Sequence, residues 1–350
     1  MTQARESAEC TWKSPSNIAL VKYWGKRDEQ IPANPSISFS LDRATTETSV
    51  KAVNRSNDGG ISLNFTFEQQ PNAAFEEKLK AYLTKAAREF TWLEQYHLDI
   101  ASSNTFPHSS GIASSASAYS AVALCLCTLH EEITGNKLQD FYRKASTWAR
   151  IGSGSACRSV YGGFTLWGKT PHLENSSDEY AVGIDHLIHP VFQTLKDTIL
   201  IIEKGKKAVS STAGHALLKH HPFASTRYRI AGENTAHLLA ILKSGDLDAF
   251  VELVEAEALM LHALMMTSPT PFILMKPNTL AVIEKIKDFR NQSGIRLLFT
   301  LDAGANVHLL NTEHDNDQVQ YFVRNELIGY CQNQSYFCNS VGKGPVQITT

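Results

Sequence analysis

Asn104-Thr-Phe-Pro-His-Ser-Ser-Gly-Ile-Ala-Ser-Ser-Ala116 is the stretch on which the reading turns. A loop of small and polar residues opens directly into a run of small apolar ones, which predicts a long helix from about Ser114 to His130. Unpaired N–H groups at a helix start, together with the positive end of the helix dipole, make an anion site, and side chains this small let phosphate oxygens reach the backbone. Ser114 and Ser115 add hydroxyls that can donate to an anion or help hold a metal ion. A serine-capped buried helix is the plainer alternative for the same letters.

Before this stretch the chain alternates. Ile37, Phe39 and Leu41, then Val50 and Val53, then Ile61, Leu63 and Phe65 read as antiparallel strands, followed by a helix over Phe75 to Phe90 and a strand at Leu98 and Ile100. After it, Asp140 to Ile151 is helical, Gly152 to Gly163 is glycine- and serine-rich, and a helix-poor stretch ends near Val191. A strand at Thr198 to Ile202, helices over His221 to Met266 and Thr279 to Gln292, strands at Leu297 to Thr300 and His308 to Leu310, and a last strand complete the pattern. These periods predict an α+β protein of two domains, 1–190 and 191–350, and 350 residues suffice for two cores.

Charge narrows the partners. Thirty-three Lys+Arg against 35 Asp+Glu leave a formal charge of −2, which argues against nucleic acid and against an anionic membrane, since both need a large single-signed field. A small anion in a local cationic pocket stays open. Cys10, Cys125, Cys127, Cys157, Cys331 and Cys338 form no C-x-x-C pair, the polar start lacks a signal peptide's apolar stretch, and no run approaches the length of a membrane span. The expectation is a cytoplasmic protein with free thiols.

Three more segments carry chemistry. Ser14-Pro-Ser-Asn-Ile-Ala-Leu-Val-Lys-Tyr-Trp-Gly-Lys26 is an apolar strand ending in Lys22 and Lys26 beside Gly25; two compact ammonium groups suit a diphosphate, and solvated lysines at a strand end are the alternative. Gly152-Ser-Gly-Ser-Ala-Cys-Arg-Ser159 sets Arg158 just past a second cluster of glycines and hydroxyls; its planar fork suits a carboxylate, or it pairs with a structural acid. Phe299-Thr-Leu-Asp-Ala-Gly-Ala-Asn306 delivers Asp302 into a small-residue turn, where it can take a proton from a hydroxyl, bind a cation, or cap its own backbone. By contrast, Gly163-Phe-Thr-Leu-Trp-Gly-Lys-Thr170 fits the written P-loop expression but is set aside, because Pro171 follows at once and Phe164 to Trp167 reads as a strand. No H-E-x-x-H, G-x-S-x-G or paired C-x-x-C occurs, and the thirteen histidines show no metal-site spacing.

In this order the segments resemble the mevalonate diphosphate decarboxylases of the GHMP kinase superfamily, over nearly the whole chain. Asn17-Ile-Ala with Lys22-Tyr-Trp-Gly-Lys26, Pro107 through Ala116, Gly152 to Ser159 with Tyr161-Gly-Gly163, and Asp302-Ala-Gly304 with Asn306 carry it. Val209-Ser-Ser-Thr212, Met266-Thr-Ser-Pro269 and Val341-Gly-Lys-Gly-Pro345 are weaker echoes. The resemblance implies a ribosomal protein S5 domain 2-like N-terminal domain, a ferredoxin-like GHMP C-terminal domain, and an active site in the cleft between them. It implies a homodimer that uses ATP and Mg2+ to decarboxylate mevalonate 5-diphosphate to isopentenyl diphosphate after phosphorylating the 3-hydroxyl. Mevalonate 5-phosphate decarboxylase, mevalonate 3-kinase and a catalytically silent binding protein on the same scaffold are the rival readings.

Roles follow from the same resemblance. Asp302, Lys22, Arg158 and Ser155 are implied to be catalytic, and Asn17, Tyr23, Lys26, Ser153, Ser155, Arg158 and Ser210 to bind substrate. Pro107, Ser109, Ser110, Gly111, Ala113, Ser114 and Ser115 are implied to meet the nucleotide, with Ser115 also at Mg2+. Three positions depart from the pattern. His108-Ser-Ser110 replaces threonine and alanines, Ala305 replaces a proline and so loosens the turn that aims Asp302, and Lys78 is the candidate cation where an arginine for the 5-diphosphate is absent.

Overall fold

The computed structural model describes residues 5–55, 59–106, 112–204 and 211–348, with side chains omitted at 211–213. Its first sheet is built on two long strands, β1 (Ser7–Ala19) and β2 (Ser36–Asn54), which run antiparallel. The residues read as separate short strands around Leu41 and Val50 are one strand: the alternation lapses at Asp42–Thr45, but pairing with β1 carries the backbone across from Ser40 to Thr45 and alternation resumes from Thr46. β3 (Ser62–Phe67) and β4 (Gln70–Pro71) form a hairpin, and β5 (Tyr96–Asn104) lies between β3 and β2, parallel to the former. β6 (Phe164–Trp167) pairs with the start of β2 and with β7 (Ala181–Gly183), so the P-loop-like letters are indeed a strand.

Helices α1 (Ala73–Ala86), α2 (Ser114–Thr134) and α3 (Phe141–Gly152) cover one face of this sheet. α2 is buried without a break from Ser120 to Leu129, and its serines and alanines allow close approach to β1 and β2. The hydroxyls this buries are paired: Ser14 Oγ donates to Ser120 Oγ at 2.7 Å, and Thr46 and Ser117 share a 2.6 Å bond. Ser16 Oγ donates to the Ile112 carbonyl at 2.7 Å, tying the start of α2 to β1. The glycine- and serine-rich stretch after α3 holds a 3-10 helix over Gly154–Val160 whose residues pack against α2 and α3.

A second sheet is fully antiparallel, in the order β11-β8-β10-β9: β8 (Lys196–Leu200), β9 (Leu298–Leu301), β10 (Val307–Asn311) and β11 (Tyr336–Ser340). The short α4 (Pro190–Gln193) leads into it, α5 (Ser211–Leu217) follows β8, and the predicted helical block is a pair, α6 (Ala224–Ser244) and α7 (Leu247–Met266). α8 (Pro277–Ser293) and α9 (Asn316–Phe322) pack on the other face, around Phe299, Phe322 and Leu309. One apolar cluster spans the two halves: Phe39, Phe164 and Leu166 meet Ile199, Leu238, Phe250 and Val254, all fully buried. Each such side chain contributes on the order of 1.5–3 kcal/mol, so the halves are held by core rather than by a polar hinge.

The last strand, β12 (Val346–Ile348), leaves the second half and pairs with β1, Thr11 opposite Ile348. Among the described residues no helix is long and apolar enough to cross a membrane, and the six cysteines are all unbridged.

Candidate active site

β1 carries the first site residues, and its geometry aims them. The β1–β2 register slips between Pro15 and Asn17, a bulge at a residue that has no N–H to give the ladder. Asn17 beyond it turns inward: its amide donates to Ser159 Oγ at 2.8 Å and to the Ser155 carbonyl at 3.2 Å, while its Oδ1 accepts from Arg158 Nε at 3.1 Å. Arg158 also donates to Ser36 Oγ at 2.6 Å. Both acceptors are neutral, so the structural-acid alternative fails: among the described residues no carboxylate bonds this buried guanidinium, and burial depresses its pKa.

After β1 the chain runs through Lys22-Tyr-Trp-Gly-Lys26. Gly25 sits at φ +102°, and a β-carbon there would collide with Tyr228 of α6. Lys22 is not a solvated lysine; its side chain is 2% exposed and its Nζ lies 3.0 Å from Asp302 Oδ1. Burial pulls its pKa down, and the nearby Asp302 and Glu257 oppose that pull. Lys26 Nζ donates to Gln30 Oε1 at 2.8 Å, and both lysines line the same cavity.

Asp302 stands in the turn between β9 and β10 with its side chain 27% exposed. The slackness expected from Ala305 is offset by bonds that pin the turn. Gly304 N donates to the Asp302 carbonyl at 2.7 Å, Thr279 Oγ1 to the Ala305 carbonyl at 2.7 Å, and Glu203 N to Asn306 Oδ1 at 3.0 Å.

On the opposite wall α2 follows Ala113, whose φ of +46° is left-handed, and among the described residues no side chain caps this end. Ser115 Oγ and Ser153 Oγ are 3.1 Å apart, which joins the helix start to the glycine- and serine-rich segment. Gly154 is small because Tyr23 lies over it; a β-carbon there would stand 2.7 Å from the Tyr23 oxygen. That oxygen is buried without a hydrogen-bond partner among the described residues, and burial raises its pKa.

One cavity of about 430 Å3 collects Asn17, Lys22, Tyr23, Lys26, Ala113, Ser114, Ser115, Ser153, Ser155, Arg158 and Asp302. Pro107, Ser109, Ser110 and Gly111, and likewise His108 and Ser210, lie outside the described residues. The cavity extends into an apolar wing of Phe65, Phe67, Phe75, Leu79, Tyr119 and Val122, which the sequence reading missed because each letter also reads as core. Lys78 lines that wing, with its Nζ 6.0 Å from the Phe75 ring centre. His215 was missed as well. It stacks between Tyr23 and Trp24, its Nδ1 accepts from Gly25 N at 2.9 Å, and burial lowers its pKa to about 3, so it stays neutral.

An anion-ready helix start facing buried cations and one carboxylate, at the seam of an S5-like and a ferredoxin-like half, defines a GHMP-superfamily enzyme. Family models agree: that of the diphosphomevalonate decarboxylase-like N-terminal domain matches residues 14–181, and that of the mevalonate 5-diphosphate decarboxylase C-terminal domain matches 198–348. The diphosphomevalonate decarboxylase of Gibberella zeae is 31% identical over 318 residues, covering 87% of this chain and 81% of that one. The crystal structure of mevalonate diphosphate decarboxylase from Staphylococcus aureus superposes with a TM-score of 0.84 at 29% identity, covering 98% of each chain. MDDEF, solved in complex with MVAPP, AMPPCP and magnesium, superposes with a TM-score of 0.83 at 27% identity, covering 98% of this chain and all of that one. The chain belongs to the diphosphomevalonate decarboxylase family.

Proposed function

We propose that this chain catalyses the ATP-dependent decarboxylation of mevalonate 5-diphosphate, giving isopentenyl diphosphate, ADP, phosphate and CO2. The observation that carries it is the Lys22–Asp302 pair, 3.0 Å apart in the same cavity as Arg158 and the open start of α2. Family relatives of that name, and a neighbour bound to MVAPP, AMPPCP and magnesium, support the same reading.

The chemistry makes use of each group. Hydroxide is a poor leaving group from a tertiary carbon, and phosphorylating the 3-hydroxyl replaces it with phosphate. Asp302 orients that hydroxyl and takes its proton as the γ-phosphoryl arrives, because an alkoxide lies far above a carboxylate in basicity and cannot form first. Lys22 pairs with the Asp302 carboxylate until then. Arg158 and Ser155 hold the carboxylate through the second step. The bond from the carboxylate carbon to C2 breaks, its electron pair forms the C2–C3 double bond, and phosphate departs from C3 with the C–O pair. The cations beside the cleft stabilise that leaving charge.

Tyr23, Ser153, Lys26 and, outside the described residues, Ser210 are the further substrate-binding groups. Ala113, Ser114 and Ser115, with Pro107, Ser109, Ser110 and Gly111, would receive the nucleotide phosphates, and the apolar wing suits the adenine. Mg2+ bound with ATP would supply charge neutralisation at those phosphates. Ser115 fits it because its hydroxyl lines the cavity, while no cluster of metal-binding carboxylates, histidines or cysteines occurs among the described residues. We place the domain division near residue 190, giving 1–190 and 191–350, and take the enzyme to be a cytoplasmic homodimer.

The test is incubation of the purified protein with ATP, Mg2+ and, separately, mevalonate, its 5-phosphate and its 5-diphosphate, reading ADP and CO2 together. Equal release of both with the 5-diphosphate alone is expected. ADP without CO2 would make the protein a kinase, and CO2 from the 5-phosphate would move the substrate assignment by one phosphate.

A further inference from the structure

We propose that Glu257, held by Arg227, is a positioning residue that fixes the backbone and preserves the charge of Lys22 from the second half of the chain. This rests on the reading above in one respect, namely that Lys22 and Asp302 are the working pair.

The geometry is specific. Lys22 N donates to Glu257 Oε2 at 2.9 Å, and the Lys22 carbonyl accepts from Arg227 Nη2 at 3.3 Å and from Asn34 Nδ2 at 3.1 Å. Arg227 grips the same carboxylate with both nitrogens, at 2.8 and 2.6 Å, and Asn234 Nδ2 adds a bond of 2.6 Å. Glu257 is 0% exposed and Arg227 3%. A salt bridge that merely stapled α6 to α7 would close on itself. Here one acid oxygen and one guanidinium nitrogen are both spent on the two sides of a single residue's backbone, and that residue's ammonium meets Asp302. With its N–H and carbonyl both held, the direction in which the Lys22 side chain leaves the backbone is set, which is the condition for a group to sit within tenths of an ångström of its working place.

The acid's charge has a second use. Four charged groups face Lys22: Asp302 from the turn after β9, Glu257 from α7, Arg158 from the 3-10 helix and Arg227 from α6. When Asp302 accepts the hydroxyl proton it ceases to be an anion. Glu257 is then the acid that still favours the buried ammonium, opposing burial and Arg158 while phosphate charge accumulates at C3. An amide would accept the Lys22 N–H equally well but would not do this.

The experiment compares Glu257→Gln with the parent in kcat, KM and the pH profile of kcat. It also follows acetylation of Lys22 by acetic anhydride against pH, read by mass spectrometry. Removing the acid lowers the lysine pKa, so the labelling midpoint and the basic limb of kcat should both fall by about one pH unit, and kcat by about tenfold with KM little changed. A labelling midpoint within about 0.3 unit of the parent in a folded variant would overturn the proposal. Where Glu257→Gln does not fold, Arg227→Lys decides. It keeps the charge but cannot hold Glu257 and the Lys22 carbonyl together, so kcat should fall about fivefold with the limb unmoved, and kcat within twofold of the parent would overturn the positioning role. A parent that releases no CO2 from any substrate would refute the decarboxylase reading instead, and the labelling curve would still report on Glu257.

Discussion

Replacing Asp302 by asparagine is the most direct probe of the chemistry. The side chain keeps its volume and an oxygen for Lys22 Nζ, now 3.0 Å away, while the base and the negative charge go. Losing a positioned general base costs about 10²- to 10⁴-fold in rate. Turning the charge-assisted bond to Lys22 into a neutral one costs on the order of 1 kcal/mol more, about fivefold, some of it shared with the bound ground state. Turnover should therefore fall about 10³-fold, near 4 kcal/mol in the barrier. Substrate contacts of Arg158 and the serines are untouched, so KM should stay within about tenfold. Release of ADP and CO2 followed side by side over a range of mevalonate 5-diphosphate gives both numbers. Turnover within about tenfold of the parent would remove Asp302 from the mechanism.

Other perturbations read other parts of the cleft. Arg158→Gln should lose CO2 release more than ADP release, because its fork holds the carboxylate rather than the phosphoryl group, and equal loss of both products would contradict that role. His215, whose pKa falls to about 3 from 6.5 on burial, binds a proton more readily when unfolded. Its contribution is therefore complete above pH 6.5 and is lost as pH falls toward 3, amounting to about 2 kcal/mol by pH 5. Denaturant titrations at pH 7 and 5 should show that acid penalty shrink by about this amount in His215→Gln, and an unchanged penalty would place the lability elsewhere. Gly25→Ala combines a left-handed φ with a collision against Tyr228, and should destabilise by about 2–4 kcal/mol, part of which Tyr228→Ala restores; a neutral denaturation curve would mean the loop is slack.

What the letters revealed, and what they hid, divides along a physical line. Asp302 was legible as a candidate because an apolar strand delivers a single carboxylate into a small-residue turn, with the family resemblance choosing its role over backbone capping, and Ser114 because α2 opens on an abrupt run of small residues. Glu257 and Arg227 were not. Each lies within a long helix where a charged residue ordinarily faces water, and only tertiary packing brings them over Lys22 from 205 and 235 positions away. The aromatic wing was hidden for the converse reason: Phe65 and Phe75 have the apolar character of any core residue, and an open cavity beside them leaves no mark on periodicity. The 3-10 helix over Gly154–Val160 escaped notice because the glycines in and around it speak for loops, while burial against α2 and α3 supplies the order they lack.

The return of β12 to β1 bears on how the protein is made. Synthesis delivers Val346–Ile348 long after β1, so until then the edge of β1 at Thr11–Lys13 stands with its backbone groups unmatched. A ribosome that stops short of Val346 releases a chain able to assemble its catalytic cleft yet bearing a sticky border, open to another unfinished copy. Pairing of Val346–Ile348 with β1, rather than assembly of the active site, is what covers that border.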